Sequence, residues 1–184
     1  MLGLASFLFS LVMYAIETYI VEAAIDRAMA YDQASYLVAV MNGAGLFGRI
    51  LCNYAADSIG RLNSTLVAVF CTSASILALW LPAQSSGTMI AFAVVSGLGG
   101  NVTLSMFPVL VASTASLDEL GSRIGVNMFA SGLAALLGPP ATGAVISRGG
   151  FQMAAGCLGG CCFVSGLFIT ILRIRLGIKQ GWNK

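Results

Sequence analysis

The 184-residue sequence has no histidine and few charged residues, with nine Lys or Arg and seven Asp or Glu. Charged residues make up 9% of the chain, against about 25% in soluble domains, so a sizeable soluble domain is excluded. The net charge of +2 is too small to indicate nucleic-acid binding. Without histidine, the commonest metal ligand and the usual general base are absent. We therefore expect no enzyme, no metal site and no cofactor.

Most of the remaining residues are apolar, at 58% of the chain. Six segments are long enough to cross about 30 Å of hydrocarbon; they are 3–21, 36–56, 65–81, 89–112, 124–146 and 151–172. The breaks between them carry charges or turn residues. The sequence thus predicts an all-α, polytopic membrane protein, with a single six-helix transmembrane bundle over residues 1–184.

The basic residues predict the orientation of this bundle in the lipid bilayer. If both termini are cytosolic, two basic residues of the connecting segments lie outside, Arg27 and Arg148. The other arginines and lysines of the connecting segments and the carboxy-terminal tail lie inside. That asymmetry follows the positive-inside rule. We expect a multi-pass protein of the plasma membrane with cytosolic termini. Trp80 and Trp182 are predicted to lie in the aromatic belts at the bilayer surfaces.

Small residues are frequent within the predicted spans. Glycine is abundant, at 22 residues, and it forms clusters such as those at 43–48, 97–100 and 156–160, which indicates close helix packing. All five cysteines lie in apolar stretches and are typical of packing residues. Two consecutive prolines, Pro139 and Pro140, interrupt the fifth span and predict either a fixed bend or a kink used in gating.

Arg49 lies in the middle of the second predicted span, with no acidic residue close by in sequence. A guanidinium at bilayer depth costs from roughly 2.5 to more than 10 kcal/mol, and it is tolerated where it faces a protein interior or a water-filled path. Its planar donors suit a carboxylate, which they can bind with two hydrogen bonds. The alternative is a structural arginine that bonds carbonyl groups or pairs with the distant Glu17.

Three amides also fall within predicted spans: Asn42, Asn101 and Asn127. They either line a pathway or form hydrogen bonds across helices, at about 0.6 kcal/mol each. Asn42 and Asn127 are candidate substrate-binding residues together with Arg49.

Two clusters of charge lie at predicted cytosolic breaks. Asp57 and Arg61 form either a conformational latch near helix ends or a solvated pair of loop charges. Asp118, Glu119 and Arg123 form either a second latch or the charge pattern of a helix start.

Two blocks of sequence resemble a known family of transporters. YLVAVMNGAGLFGRI at 36–50, followed by DSIGRLN at 57–63, resembles the eighth span and next loop of the major facilitator superfamily, and more narrowly its fungal monocarboxylate-porter branch. DELGSRIG at 118–125 and LLGPPATGAVI at 136–146 are similar to that family's later loop and eleventh span. The resemblance covers nearly the whole chain and implies spans seven to twelve, the carboxy-terminal half of a twelve-span fold.

The resemblance assigns roles to residues of the second span. Arg49 matches an arginine that binds the substrate carboxylate. Animal members carry an acid one helical turn earlier, implicated in proton coupling, where this chain has Gly45. Proton coupling through this helix is therefore not implied.

The resemblance also assigns the cytosolic loop. Asp57, Gly60 and Arg61 match the superfamily's loop motif and are expected to act in gating, as are Asp118 and Arg123 of the second block. The motif's leading glycine is replaced by Asn53 and its leucine by Ala55, which weakens the tight packing that the motif implies.

The implied function is secondary transport of an organic anion or carboxylated small molecule, including efflux of a fungal secondary metabolite, by alternating access. No nucleotide-binding loop is present in the sequence to suggest ATP-driven transport. The expected partner is a second six-span half, or another copy through self-association. The alternative is a non-transporting half-bundle or truncated remnant that packs against a partner.

Overall fold

The computed structural model describes residues 2–83, 85–113 and 116–180, with the side chains of all but Leu117 and 176–180. These residues form six helices: α1 (Leu2–Asp26), α2 (Tyr31–Ile59), α3 (Arg61–Trp80), α4 (Ser86–Ser113), α5 (120–149) and α6 (151–180). A short 3₁₀ turn, Leu117–Glu119, precedes α5. No strand occurs in the described ranges, and the predicted all-α class is confirmed.

The chain reverses direction between α5 and α6 at a single residue. Gly150 has φ 69° and ψ −177°, a backbone conformation that glycine adopts at little cost. Without that break the 61 helical residues would extend about 90 Å, roughly twice the full thickness of a bilayer. Thr142 and Val145 of α5 line the same cavity as Ala154 and Cys157 of α6. The two helices therefore lie side by side as an antiparallel hairpin.

A second single-residue turn joins α2 to α3. Gly60 has φ 89°, and its N–H donates to the carbonyl of Ala56 at 3.0 Å. The sequence predicts wider breaks, over 57–63 and 147–150, because charged and polar residues occur there. In the structure the charged and polar residues of both ranges belong to the helices. Only Gly60 and Gly150 depart from helical geometry there.

Length and apolar composition qualify five helical stretches to cross a membrane, and the last of them, Leu120–Arg175, contains residues of both α5 and α6. Five of the six helices enclose their predicted spans, and α3 ends one residue earlier than its span at 65–81. The helices extend beyond the predicted spans because helical hydrogen bonding does not stop where the apolar composition stops.

The core of the bundle surrounds α1. Eleven of its 25 residues are buried, and they cover more than half of its circumference. Ser10 reaches Ser131 of α5 at 3.3 Å, while Ser165 of α6 donates to the carbonyl of Ala5 at 2.8 Å. On another side, Phe9 packs on Phe107 of α4 with ring centroids 5.8 Å apart.

Trp80 belongs to this core and not to an aromatic belt. Its side chain is fully buried and stacks on Phe92 of α4, with ring centroids 5.2 Å apart. The belt prediction was wrong for Trp80 because composition does not show whether an indole near a span's end turns outward to the interface or inward to a neighbouring ring. Trp182 lies outside the described residues.

Candidate functional site

Only one narrow stripe of α2 is buried. Its six buried residues recur at intervals of three or four, apart from the gap around half-buried Cys52; they are Ala34, Leu37, Met41, Gly45, Gly48 and Ala56. Such spacing marks a single face of an α-helix. Large apolar side chains on the other faces are exposed, among them Phe47, Leu51 and Tyr54. α2 therefore lies at the edge of the bundle.

Glycines bring α2 and α4 into close contact beside Arg49. A Cβ atom on Gly48 would collide with the carbonyl of Leu98, and one on Gly97 would collide with the carbonyl of Met41. A Cβ on Gly45 would lie 2.7 Å from the amide nitrogen of Asn101. The close packing predicted from the glycine clusters is confirmed for this pair of helices. It places the residues that follow Gly48 directly beside α4.

Arg49 opens onto a notch between these two helices. The notch has a volume of ≈140 Å³ and is lined by Arg49, Asn53, Val102, Ser105, Met106 and Val109. The Arg49 side chain is exposed, and within the described ranges it has no hydrogen bond or ion pair. Neither structural alternative is formed there, since the guanidinium is not bonded to a carbonyl and is not paired with Glu17.

The three predicted amides have three different environments. Asn42 is exposed and donates to the Val38 carbonyl of its own helix at 3.0 Å. It lies seven residues before Arg49, so the helical repeat places both on the same flank of α2. Asn101 is buried and donates across helices to the carbonyl of Met41 at 3.4 Å. Asn127 is only 3% exposed, and neither polar atom of its amide has a hydrogen-bond partner among the described residues.

The structure thus separates two of the candidate substrate-binding residues. Asn42 shares a helix flank with Arg49, whereas Asn127 lies on the buried stripe of α5 with Ala134 and Gly138. Ser131, one turn after Asn127, contacts Ser10 of α1. Ser6, one turn before Ser10, is also buried with an unpartnered hydroxyl. The α1–α5 seam is therefore polar, and apart from the Ser10–Ser131 pair its side chains have few partners among the residues described.

The predicted cytosolic latch residues all lie at the surface. Asp57 and Arg61 are exposed on either side of the Gly60 turn, and no ion pair joins them in the described chain. Instead, the Arg173 Nε of α6 donates to the Asn63 amide oxygen at 2.8 Å. Sequence reasoning missed this contact between α3 and α6, since nothing in the spacing of residues 110 positions apart signals it.

The second charge cluster contains one ion pair. Arg123 Nη2 lies 2.7 Å from the Glu119 carboxylate, four residues earlier, and both side chains are exposed. Asp118 is exposed in the 3₁₀ turn before the helix. An exposed pair at this spacing contributes about 0.3–0.5 kcal/mol to stability. A contribution of that size agrees with the charge pattern of a helix start.

Arg27, another residue that sequence reasoning missed, connects two turns on the opposite side of the bundle. Its Nη1 donates to the carbonyl of Trp80 at 2.7 Å, while its Nη2 is buried with no partner in the part of the chain that the structure describes. Burial lowers the pKa of the Arg27 guanidinium, and the carboxylate of Asp26 partly opposes that shift. Both residues border an open cavity of ≈440 Å³ that reaches Gly150 and Gln152 at the start of α6.

The cysteines act as packing residues where the structure buries them. Cys162 is fully buried, and its thiol donates to the carbonyl of Val69 at 3.6 Å. Burial stabilises the neutral thiol, as expected for an unreactive packing residue.

Comparison with known proteins identifies the fold. The sequence profile of the Major Facilitator Superfamily matches residues 2–182. An inward-open structure of the xylose transporter XylE from E. coli superposes with a TM-score of 0.72 at 16% identity, over 93% of this chain and 45% of that one. At this level of identity the match shows the fold alone.

Curated relatives from fungi are closer in sequence. The MFS-type transporter opdF of Penicillium oxalicum is 36% identical over 167 residues, which cover 90% of this chain and 39% of that protein. An MFS-type transporter of Gibberella moniliformis is 33% identical over 187 residues, covering 99% and 44%. The fujikurins efflux protein of Gibberella fujikuroi is 36% identical over 123 residues, covering 67% and 26%.

This chain spans less than half the length of these relatives. The profile match nevertheless extends over nearly all of it, and the six-helix bundle superposes on part of a solved member. The apolar helices agree with an integral, multi-pass membrane protein. The chain belongs to the Major Facilitator Superfamily.

Proposed function

We propose that this chain forms one half of a secondary transporter of the monocarboxylate-porter type, which exports a carboxylated small molecule and holds its carboxylate with Arg49. The observation that carries the proposal is the position of that guanidinium. It lies within α2, a helix long and apolar enough to cross a membrane, opens onto a notch, and has no partner among the residues described. Such a charge is expensive unless it meets water or an anion.

Efflux is the direction supported by the relatives. The fujikurins efflux protein and the aspyridones efflux protein apdF of Emericella nidulans share 36% and 32% identity with this chain, over 67% and 68% of its length. Their names describe export of small organic products. We extend that direction to this chain, with a carboxylated metabolite as the cargo and the plasma membrane as the site.

Proton coupling does not use the position one turn before Arg49. Gly45 is buried against Asn101, and even a Cβ atom there would lie 2.7 Å from the amide nitrogen. An acidic side chain at position 45 would therefore require α2 and α4 to separate. Coupling, where it occurs, uses another residue or another ion.

The notch is open on one side and requires a facing structure to enclose a substrate. α2 and α5 both expose large apolar side chains, such as Phe47 at 65% and Phe129 at 69%. Transporters of this fold hold the substrate between two six-span halves. We propose that a second six-span unit, in the same polypeptide or another, covers these faces, with self-association as the alternative. Asn42 would contribute a polar group to the enclosed path, and Asn127 would do so only in a state that opens the buried seam between α1 and α5.

Gating is proposed for the cytosolic surface. Gly60 supplies a sharp turn between two exposed charges, Asp57 and Arg61. Because this pair is not joined in the described chain, its charges are available to helix ends of the facing unit in one state and to water in the other. Asp118 and Arg123 occupy a matching position at the start of α5.

Transport by reconstituted protein tests the role of Arg49. The chain is co-reconstituted in liposomes with an amino-terminal half from a related transporter, and flux of radiolabelled butyrate is measured. Arg49→Lys should retain no more than about a tenth of the flux, because a charge remains but the two-pronged hydrogen bonding is lost. Arg148→Lys, at an exposed arginine outside the notch, should leave flux unchanged. Full transport by Arg49→Lys would remove the proposed role.

The second candidate function is a non-transporting half-bundle that packs against a partner. It is favoured by the large apolar side chains exposed on α2 and α5, such as Phe47 and Phe129, which suit packing against another protein. Butyrate flux decides between the two. Flux that appears only when the facing half is added supports the transporter, whereas stable association with that half and no flux at all supports the packing role.

A further inference from the structure

We propose that Asn53 is a specificity-determining residue that completes a carboxylate subsite with Arg49. The subsite would accept a single carboxylate on a small apolar group. This inference rests on the proposed function and extends it from the arginine to the rest of the notch. Asn53 occupies the position where the loop motif has a glycine, so the departure from the motif supplies a second donor.

Helix geometry places the two donors together. Arg49 and Asn53 are four residues apart on α2, which puts their Cβ atoms about 5–6 Å from each other on one face. Both line the same notch. Both side chains are exposed, and neither has a hydrogen bond within the ranges described. Two unused groups of donors therefore point from one helix face toward one small volume.

The chemistry of the two side chains suits one carboxylate. A carboxylate accepts about four hydrogen bonds through two oxygens. The guanidinium can bond both oxygens along one edge, and the Asn53 amide offers two further N–H donors from the next turn of the helix. A glycine at position 53 would provide no side-chain donor, and an aspartate would repel the anion.

The opposite wall of the notch limits what accompanies the carboxylate. Val102, Met106 and Val109 of α4 present apolar side chains. The Ser105 hydroxyl donates to the Asn101 carbonyl at 2.9 Å, so it offers only lone pairs to the notch and would not bind a second carboxylate. The volume of ≈140 Å³ leaves space for a short apolar group. These features favour small monocarboxylates over dicarboxylates.

Ligand binding to the purified chain, assembled in lipid nanodiscs with the amino-terminal half used in the flux assay, tests the inference. Saturation-transfer NMR would measure the affinity for butyrate, with the uncharged butyramide and the dicarboxylate succinate as comparison ligands. Asn53→Gly should weaken butyrate binding about tenfold, which corresponds to about 1.4 kcal/mol, and Asn53→Asp should weaken it further. Wild-type protein should bind butyrate at least about tenfold more tightly than succinate or butyramide.

Gln33→Glu is the matched control, since it makes the same amide-to-carboxylate change on an exposed residue of α2, about 30 Å along the helix. It should change butyrate affinity less than twofold. Size-exclusion profiles and melting temperatures establish that every variant is folded. Because Asn53 is exposed, its variants should match the wild type in both.

The outcomes separate this inference from the proposed function. If Arg49→Gln leaves butyrate affinity unchanged, both fail, because the arginine then does not hold the carboxylate. If Arg49→Gln weakens binding while both Asn53 variants remain within twofold of wild type, the proposed function survives and the role of Asn53 is overturned. Equal binding of butyrate and succinate would overturn the stated specificity.

Discussion

α1 and α2 are both apolar and long enough to span a membrane, yet they have opposite surroundings. Half of the most apolar stretch of α1 is buried inside the protein, compared with 22% of the corresponding stretch of α2. Side chains from α4, α5 and α6 surround α1, whereas α2 contacts the bundle through one narrow stripe. Hydrophobicity alone therefore does not show what an apolar residue packs against.

This difference assigns separate tasks to the two helices. Most contacts of the buried α1 side chains are made within the protein, so substitutions there should act on folding. The large side chains on the outer faces of α2 are exposed, so substitutions there should act on binding and association. Arg49 and Asn53 lie at the edge of the α2 stripe, where packing ends and the exposed face begins.

The largest expected difference in the free energy of unfolding is between a phenylalanine-to-alanine substitution in α1 and one in α2. Phe9→Ala in α1 removes a fully buried ring that packs on Phe107 and should lower the free energy of unfolding by about 3–5 kcal/mol. Phe47→Ala in α2 removes a ring that is 65% exposed and should change it by less than about 0.5 kcal/mol. Reversible unfolding in mixed detergent micelles measures both. Equal losses would show that α2 is packed in the isolated chain.

A smaller effect is expected within α2 itself. Gly48→Ala places a Cβ against the carbonyl of Leu98 and should cost about 1–3 kcal/mol through overpacking. Gly43→Ala lies on the same helix with no heavy atom within 4 Å of the new Cβ. It should stabilise the helix by about 0.5–1 kcal/mol, since alanine is the better helix former. A loss of stability at position 43 would mean that the outer face of α2 is covered.

The smallest effect concerns the end of α1. Arg27→Gln removes the charged donor that bonds the Trp80 carbonyl at 2.7 Å and should lower the free energy of unfolding by about 1 kcal/mol. Arg148→Gln changes an exposed arginine predicted on the same side of the membrane and should have no measurable effect. Thermal melts of the two variants in the same detergent compare them. Identical melting temperatures would leave Arg27 without a structural role.

Much of the architecture could be predicted from composition and periodicity. The six apolar segments identify the helices because each must satisfy its backbone hydrogen bonds internally in a bilayer. The glycine clusters indicate close helix packing, because glycine lacks a Cβ atom. The structure shows this packing between α2 and α4. Arg49 stands out because an uncompensated charge in an apolar segment needs an explanation.

Other features could not be predicted because they depend on residues far apart in the chain. The Trp80 ring is stacked on Phe92 and the Trp80 carbonyl accepts from Arg27, while the bond between Arg173 and Asn63 joins residues 110 positions apart. The sequence pattern of Asn127 does not distinguish it from Asn42, although one is buried and the other exposed. Each of these outcomes is set by which helix neighbours which.

The sequence by itself determined the class of this protein, its apolar helices and the presence of an arginine within one of them, because hydrophobicity and charge are properties of each residue alone. Only the tertiary structure decided that α1 is enclosed and α2 is not, that the chain turns at single glycines, and that Asn53 and Ser105 share a notch with Arg49. Those features follow from helix packing, in which close approach at glycine and burial of large side chains select one arrangement from the many that the same apolar segments would allow.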